Sequence, residues 1–137
     1  TSFQTWVKST NCHCWECTCQ FIGSPVFIPL YIKKNDKGET EMGTYGNFCW
    51  FNCAQKWINE KHRSDGTHDD KTRLLKILYE YFTGKKIQKI VESQDKVIMK
   101  QFCGENGIEY QEFRKKIMEL DKEYNFTEYK LSQLKNE

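Results

Sequence analysis

Apolar and polar positions change period along this chain, and each change marks an element. The run Val26-Phe27-Ile28-Pro29-Leu30-Tyr31-Ile32 is β-branched and aromatic and predicts a strand. Pro29 has no N–H to give a ladder, which confines that strand to an edge or adds a bulge. Asn35-Asp36-Lys37-Gly38 predicts a turn. A return strand over about 40–45 completes a hairpin, which leads through Gly43 and Gly46. From Cys49 the period lengthens: Phe51, Ala54, Trp57 and Ile58 recur at three- and four-residue spacing, predicting a helix that ends near Lys61.

The polar stretch 62–70 predicts a flexible loop. A second helix over about 70–83 carries Leu74, Leu75, Ile77, Leu78, Tyr81 and Phe82 on one broad face. Asp69 or Asp70 opens it and Gly84 closes it. Residues 85–92 read as extended. Ser93 caps a third helix running to about 102 and closed by Gly104. Tyr110, Phe113, Ile117 and Leu120 predict a fourth, from about Glu109 to Glu123. Phe3 and Trp6 are available to anchor the lead-in, and the polar end carries scattered Phe126, Tyr129, Leu131 and Leu134. The expected organisation is an N-terminal module over 1–61, a linker over 62–70, and a helical region over 71–137 packing on that module.

The cysteines change the picture most. Of seven, six fall in two clusters, Cys12-His13-Cys14-Trp15-Glu16-Cys17-Thr18-Cys19 and Phe48-Cys49-Trp50-Phe51-Asn52-Cys53. An odd number so tightly clustered is unlike a secreted disulfide framework. Cys14 and Cys17 form a Cys-x-x-Cys pair, Cys49 and Cys53 a Cys-x-x-x-Cys pair, and 31 residues separate them. Four thiolates suit a tetrahedral Zn²⁺ ion; an iron–sulfur cluster uses the same donors. Cys12, Cys19 and His13 are further donors in the first cluster, but only the 14/17 spacing makes a standard knuckle. The expected role of Cys12 and Cys19 is that of small, partly buried thiols, and that of Cys103 is a core thiol at a helix end. Knuckle, hairpin, knuckle, helix is the order of a small treble-clef-like zinc finger, so the fold class expected is α+β with a helical C-terminal region.

Charge narrows the partners. The 137 residues carry a net charge of +2, too balanced for a protein that holds duplex DNA through many phosphate contacts. The balance is uneven: residues 54–91 hold nine basic and five acidic residues. Lys56, Lys61, Arg63, Lys71 and Arg73 are the candidate contacts to nucleic acid or a partner. Trp50 and Trp57 read as core rings, and His13, His62 and His68 as surface residues without evident acid–base partners. No run approaches the roughly 18 apolar residues of a membrane span.

The run Cys14-Trp15-Glu16-Cys17, the proline-bearing β-rich stretch and Gly46-Asn47-Phe48-Cys49-Trp50-Phe51-Asn52-Cys53 together resemble the zinc finger of the viral late transcription factor two family of large DNA viruses. That finger belongs with the FCS and MYM type. Phe48-Cys49 and Cys53 match its Phe-Cys-Ser pattern, and Trp50 stands where serine is usual. Leu74-Leu75-Lys76, Thr83-Gly84-Lys85, Phe102-Cys103-Gly104 and Ile108-Glu109-Tyr110-Gln111-Glu112-Phe113-Arg114 echo giant-virus relatives. The resemblance implies a zinc protein that promotes late gene expression in the host cytoplasm (viral factory), with the virion as a further location. Its expected partners are transcription machinery or other viral proteins, with DNA as a further candidate and no small-molecule substrate. A virion-associated structural or interaction module with a structural zinc is the alternative. An enzyme is not expected: four thiolates leave no open zinc position, and the sequence has no phosphate loop or nucleophile elbow.

Overall fold

A computed structural model describes residues 10–21 and 23–119. The lead-in anchors Phe3 and Trp6, the end of the fourth helix and the polar tail lie outside the described residues. The fold is α+β: among the described residues, one two-stranded antiparallel sheet and four helices.

Strands β1 (Val26–Lys34) and β2 (Thr40–Phe48) form the hairpin, each longer than its sequence pattern predicts. Pairing runs from Lys34↔Thr40 to Val26↔Phe48. The register slips between Pro29 and Tyr31 and again between Val26 and Ile28, so the proline sits at a bulge. The turn is set by the Asn35 side chain, which accepts from the N–H groups of Lys37 (2.9 Å) and Glu39 (3.0 Å). Near its end β2 bends at Gly46, whose φ of 85° belongs to the left-handed region. A Cβ there would also strike the Phe48 ring.

Helix α1 (Phe51–Lys61) buries Phe51, Cys53, Ala54 and Ile58. It starts from Trp50, which is extended but whose side chain cannot accept an amide N–H, so the helix has no side-chain cap. Helix α2 (His68–Thr83) has Asp69 and Asp70 in its first turn and stops at left-handed Gly84. Leu74, Leu75, Leu78 and Tyr79 are its buried face, which packs on β1 and α1; Phe51 and Tyr79 meet edge to face. Ile77, Tyr81 and Phe82 of the predicted apolar face are exposed instead. The connection before α2 is shorter than expected and ordered by local bonds. Asp65 accepts from the N–H and hydroxyl of Thr67 and contacts His62.

The expected third helix over 93–102 does not form. Ser93 is buried and its N–H donates to the Asn52 carbonyl on α1 (3.1 Å), which ties this stretch to the helix. Asp95, not Ser93, is the cap, and it opens only a 3₁₀ turn over Lys96–Ile98. Met99 is then extended and bridges in parallel to Ile108, with Lys100 N–H donating to the Ile108 carbonyl and Ile108 N–H to the Ile98 carbonyl. Those long-range bonds win over local helix propensity, leaving a single turn, α3 (Lys100–Cys103). Helix α4 starts at residue 110 and continues through 119, burying Phe113 and Ile117. Among the described residues no helix is long and apolar enough to cross a membrane.

Candidate metal centre

The Cys14–Cys17 turn is a tight knuckle. Thr18 N–H donates to the Cys14 carbonyl (2.8 Å), Cys14 N–H to the Cys19 carbonyl (3.0 Å), and Cys17 N–H to the Cys14 sulfur (3.4 Å). Thr18 takes the left-handed φ of 68° that closes it. The second pair brackets the start of α1, with Cys49 just ahead of the helix and Cys53 in its first turn. The unpaired N–H groups of that helix end favour negative sulfur.

The two halves are stitched by Asn47. Its side-chain amide donates to the carbonyls of Cys12 (3.2 Å) and His13 (3.0 Å), and its own carbonyl accepts from Trp15 N–H (2.7 Å). Sequence reasoning quoted Asn47 within a motif but gave it no role. A polar residue two places before a ligand was the only signal.

Sulfurs of Cys14, Cys17, Cys49 and Cys53 all lie within 4.8 Å of one another, and the four residues are at most 1% exposed. The 17–49 and 49–53 separations are 3.8 and 3.7 Å. A tetrahedron with metal–sulfur bonds of about 2.3 Å has edges of about 3.8 Å. A disulfide would need sulfurs about 2 Å apart, and all described cysteines are free thiols. The donor set and its spacing therefore fit a metal ion.

Electrostatics support the same reading. Hydrogen bonds from Cys17, Cys49 and Cys53 hold the Cys14 thiol far below its ordinary pKa. The bonds to Cys14 push Cys49 and Cys53 well above theirs. Four buried sulfurs without a cation cannot all be ionised; a divalent cation removes that conflict. Glu16, buried beside the knuckle, is pushed up to about 7 by desolvation and by Glu60.

The other donors fall away from the cluster. Cys19 is buried but turns to the Met99 sulfur (3.8 Å) and the Cys17 carbonyl (3.5 Å), and burial pushes its thiol up to about 12. Cys12 is exposed rather than partly buried, and His13 is exposed as expected. Cys103 is exposed too, contrary to its expected core place, because α3 is one turn long and sits at the surface. Two histidines have partners that the sequence did not reveal. His62 meets the Tyr45 hydroxyl through Nε2 and Asp65 through Nδ1 (2.8 Å), and His68 bridges Asn59 and Asp69.

The five candidate cations are not five free charges. Lys56 pairs with Glu60 (3.0 Å), Arg73 with Asp70 (2.8 Å), and Lys71 donates to Thr67 Oγ1 (3.0 Å). Lys61 lies over the Trp57 ring, 5.3 Å from its centroid, and Arg63 is exposed. Trp50 and Trp57 are half-buried rather than core.

Comparison with known proteins adds a lineage. The chain is similar to the uncharacterized protein B175L of African swine fever virus. Identity is 36% over 104 residues with the version from a Kenyan pig isolate, and 34% over the same length with those of a South African tick isolate and of the Badajoz strain. The chain is homologous to a protein of a large DNA virus. The matched region is 76% of this chain and 59% of each relative, so the chain spans about six-tenths of the length of the relatives it matches. No family model matches, and no solved structure does.

Proposed function

We propose that the chain is a zinc-binding viral late transcription factor that acts through protein contacts and contacts to nucleic acid, without catalysing a reaction. The observation that carries the zinc assignment is the buried thiol tetrahedron, whose 3.7 and 3.8 Å edges match zinc–thiolate bonds. Four protein sulfurs fill a tetrahedral ion and leave no position for water or substrate, which supports a structural role. A cleft of about 600 Å³ is lined by Thr10, Gln20, Tyr110 and Arg114 among others, and none of the four cysteines lines it. Homology to a protein of a large DNA virus supports the viral setting. The late-transcription role rests on the likeness of the Gly46–Cys53 and Cys14–Cys17 runs to that family's finger.

Repressing the gene during infection tests the role. Loss of late transcripts, with early transcripts and genome replication intact, is the expected result. Normal late transcripts with failed particle assembly would favour the virion module instead. Elemental analysis of the purified protein should find one zinc per chain.

A further inference from the structure

Trp15 stands out once the fold is known. It lies between two metal-site cysteines, and its N–H is fixed to Asn47 at 2.7 Å. Its indole is held by three other rings: Trp57 at 5.4 Å, Phe48 at 6.1 Å and Tyr45 at 6.3 Å between centroids. Despite these contacts it remains 46% exposed. A large ring held rigidly by a metal knuckle, yet open to solvent, has little conformational entropy left to lose on binding.

The charges around it are asymmetric in availability. Lys61 sits over Trp57, which backs Trp15, and Arg63 follows two residues on. Among the described residues neither cation makes an ion pair, whereas the neighbouring carboxylates are engaged. Glu60 is paired with Lys56, Asp65 is bonded to His62 and Thr67, and Glu16 is buried. The surface thus presents a half-exposed indole, with Lys61 over the ring that backs it.

We propose that this surface, Trp15 backed by Trp57 with Lys61 at the end of α1 and Arg63 two residues on, binds single-stranded nucleic acid by stacking an unpaired base on Trp15. The flanking phosphates meet the two cations. A flat ring reaches a base face only where the base is unstacked, which selects single strands over duplex. The near-neutral chain lacks the charge to hold a duplex by phosphates alone. This deepens the nucleic-acid part of the proposed function and takes only its setting from it.

The test is fluorescence anisotropy of labelled single-stranded DNA and RNA, about 20 nucleotides each, with the zinc-loaded full chain over a range of salt. Trp15→Ala should weaken binding about tenfold or more while Trp15→Phe keeps most of it. Lys61→Ala and Arg63→Ala should each lower the salt slope by roughly 0.7. Zinc content and circular dichroism check that Trp15→Ala is folded; if it is not, the two cation variants decide the matter alone. Competition between the DNA and RNA strands shows which is preferred. Absence of binding at low salt, binding indifferent to these variants, or stronger binding to duplex would each overturn the inference. Late transcription could still depend on the protein in that case, and oligonucleotide binding could persist if late transcription did not, so the two readings fail separately.

Discussion

Asn47 donates from its side-chain amide to the backbone carbonyl of His13 at 3.0 Å, across 34 positions of sequence. Its own carbonyl takes the N–H of Trp15. One residue thus clamps the first knuckle to the strand that delivers Cys49, and it does so while almost fully buried.

Replacing it should show how much of the metal site is preorganised by the clamp. Asn47→Ala removes two donor contacts to the carbonyls of Cys12 and His13, a cost of about 0.5–1.5 kcal/mol each. The expected outcome is a lower thermal midpoint and weaker zinc retention against a chelator, with one ion still bound at saturation. Unchanged chelator kinetics would mean that the knuckles hold themselves.

By position, four thiols form a buried cluster, and Cys12 and Cys103 lie exposed away from it. Cys14→Ser or Cys53→Ser should abolish stoichiometric zinc and unfold the module, since binding energy for such sites is on the order of 10 kcal/mol and is coupled to folding. Cys103→Ser and Cys12→Ser, both at exposed positions, should keep zinc and fold. Because all four ligands must be ionised, acid should release the metal and chelators should act faster as pH falls. Zinc retained after substitution of Cys53 would break the assignment.

The four-cysteine cluster was legible in sequence because the spacing within each pair is a local property: a knuckle needs two or three intervening residues whatever surrounds it. The hairpin and α1 were legible for the same reason, since period and turn residues are local. What escaped was decided at a distance. The Met99–Ile108 bridge and the Ser93–Asn52 bond dissolve a helix that the local pattern supports. The exposed surfaces of Trp15 and Cys103, and the partners of His62, likewise depend on which elements pack beside them. No periodicity encodes that.

The Tyr45 hydroxyl makes a second, pH-sensitive prediction. Burial, and then the charge of Asp65, push it up to about 12 from an ordinary 10. Above pH 10 the unfolded chain loses this proton while the folded one keeps it, so stability falls as pH rises from about 10 to about 12. Tyr45→Phe removes the titrating group. Its denaturation midpoint should decline less steeply than wild type across that window, measured by denaturant titration at fixed ionic strength. Parallel declines would show that Tyr45 is not the source.

Thr18 is the one described non-glycine residue with a positive φ, and it is β-branched. Such a side chain is crowded in the left-handed region, at a cost of about 1–3 kcal/mol. Its hydroxyl accepts from the Gln101 side chain at 3.1 Å, linking the knuckle to α3. Two substitutions separate strain from that bond. Thr18→Val keeps the branching and loses the hydroxyl, so it should destabilise slightly, by about 0.5–1 kcal/mol. Thr18→Gly loses the same bond but relieves the backbone, less about 0.5–1 kcal/mol for its greater freedom when unfolded. The glycine variant should therefore be the more stable of the two in chemical denaturation of the zinc-loaded protein. If valine matches or exceeds it, the knuckle imposes no strain at this position, and the threonine is there for its bond to Gln101.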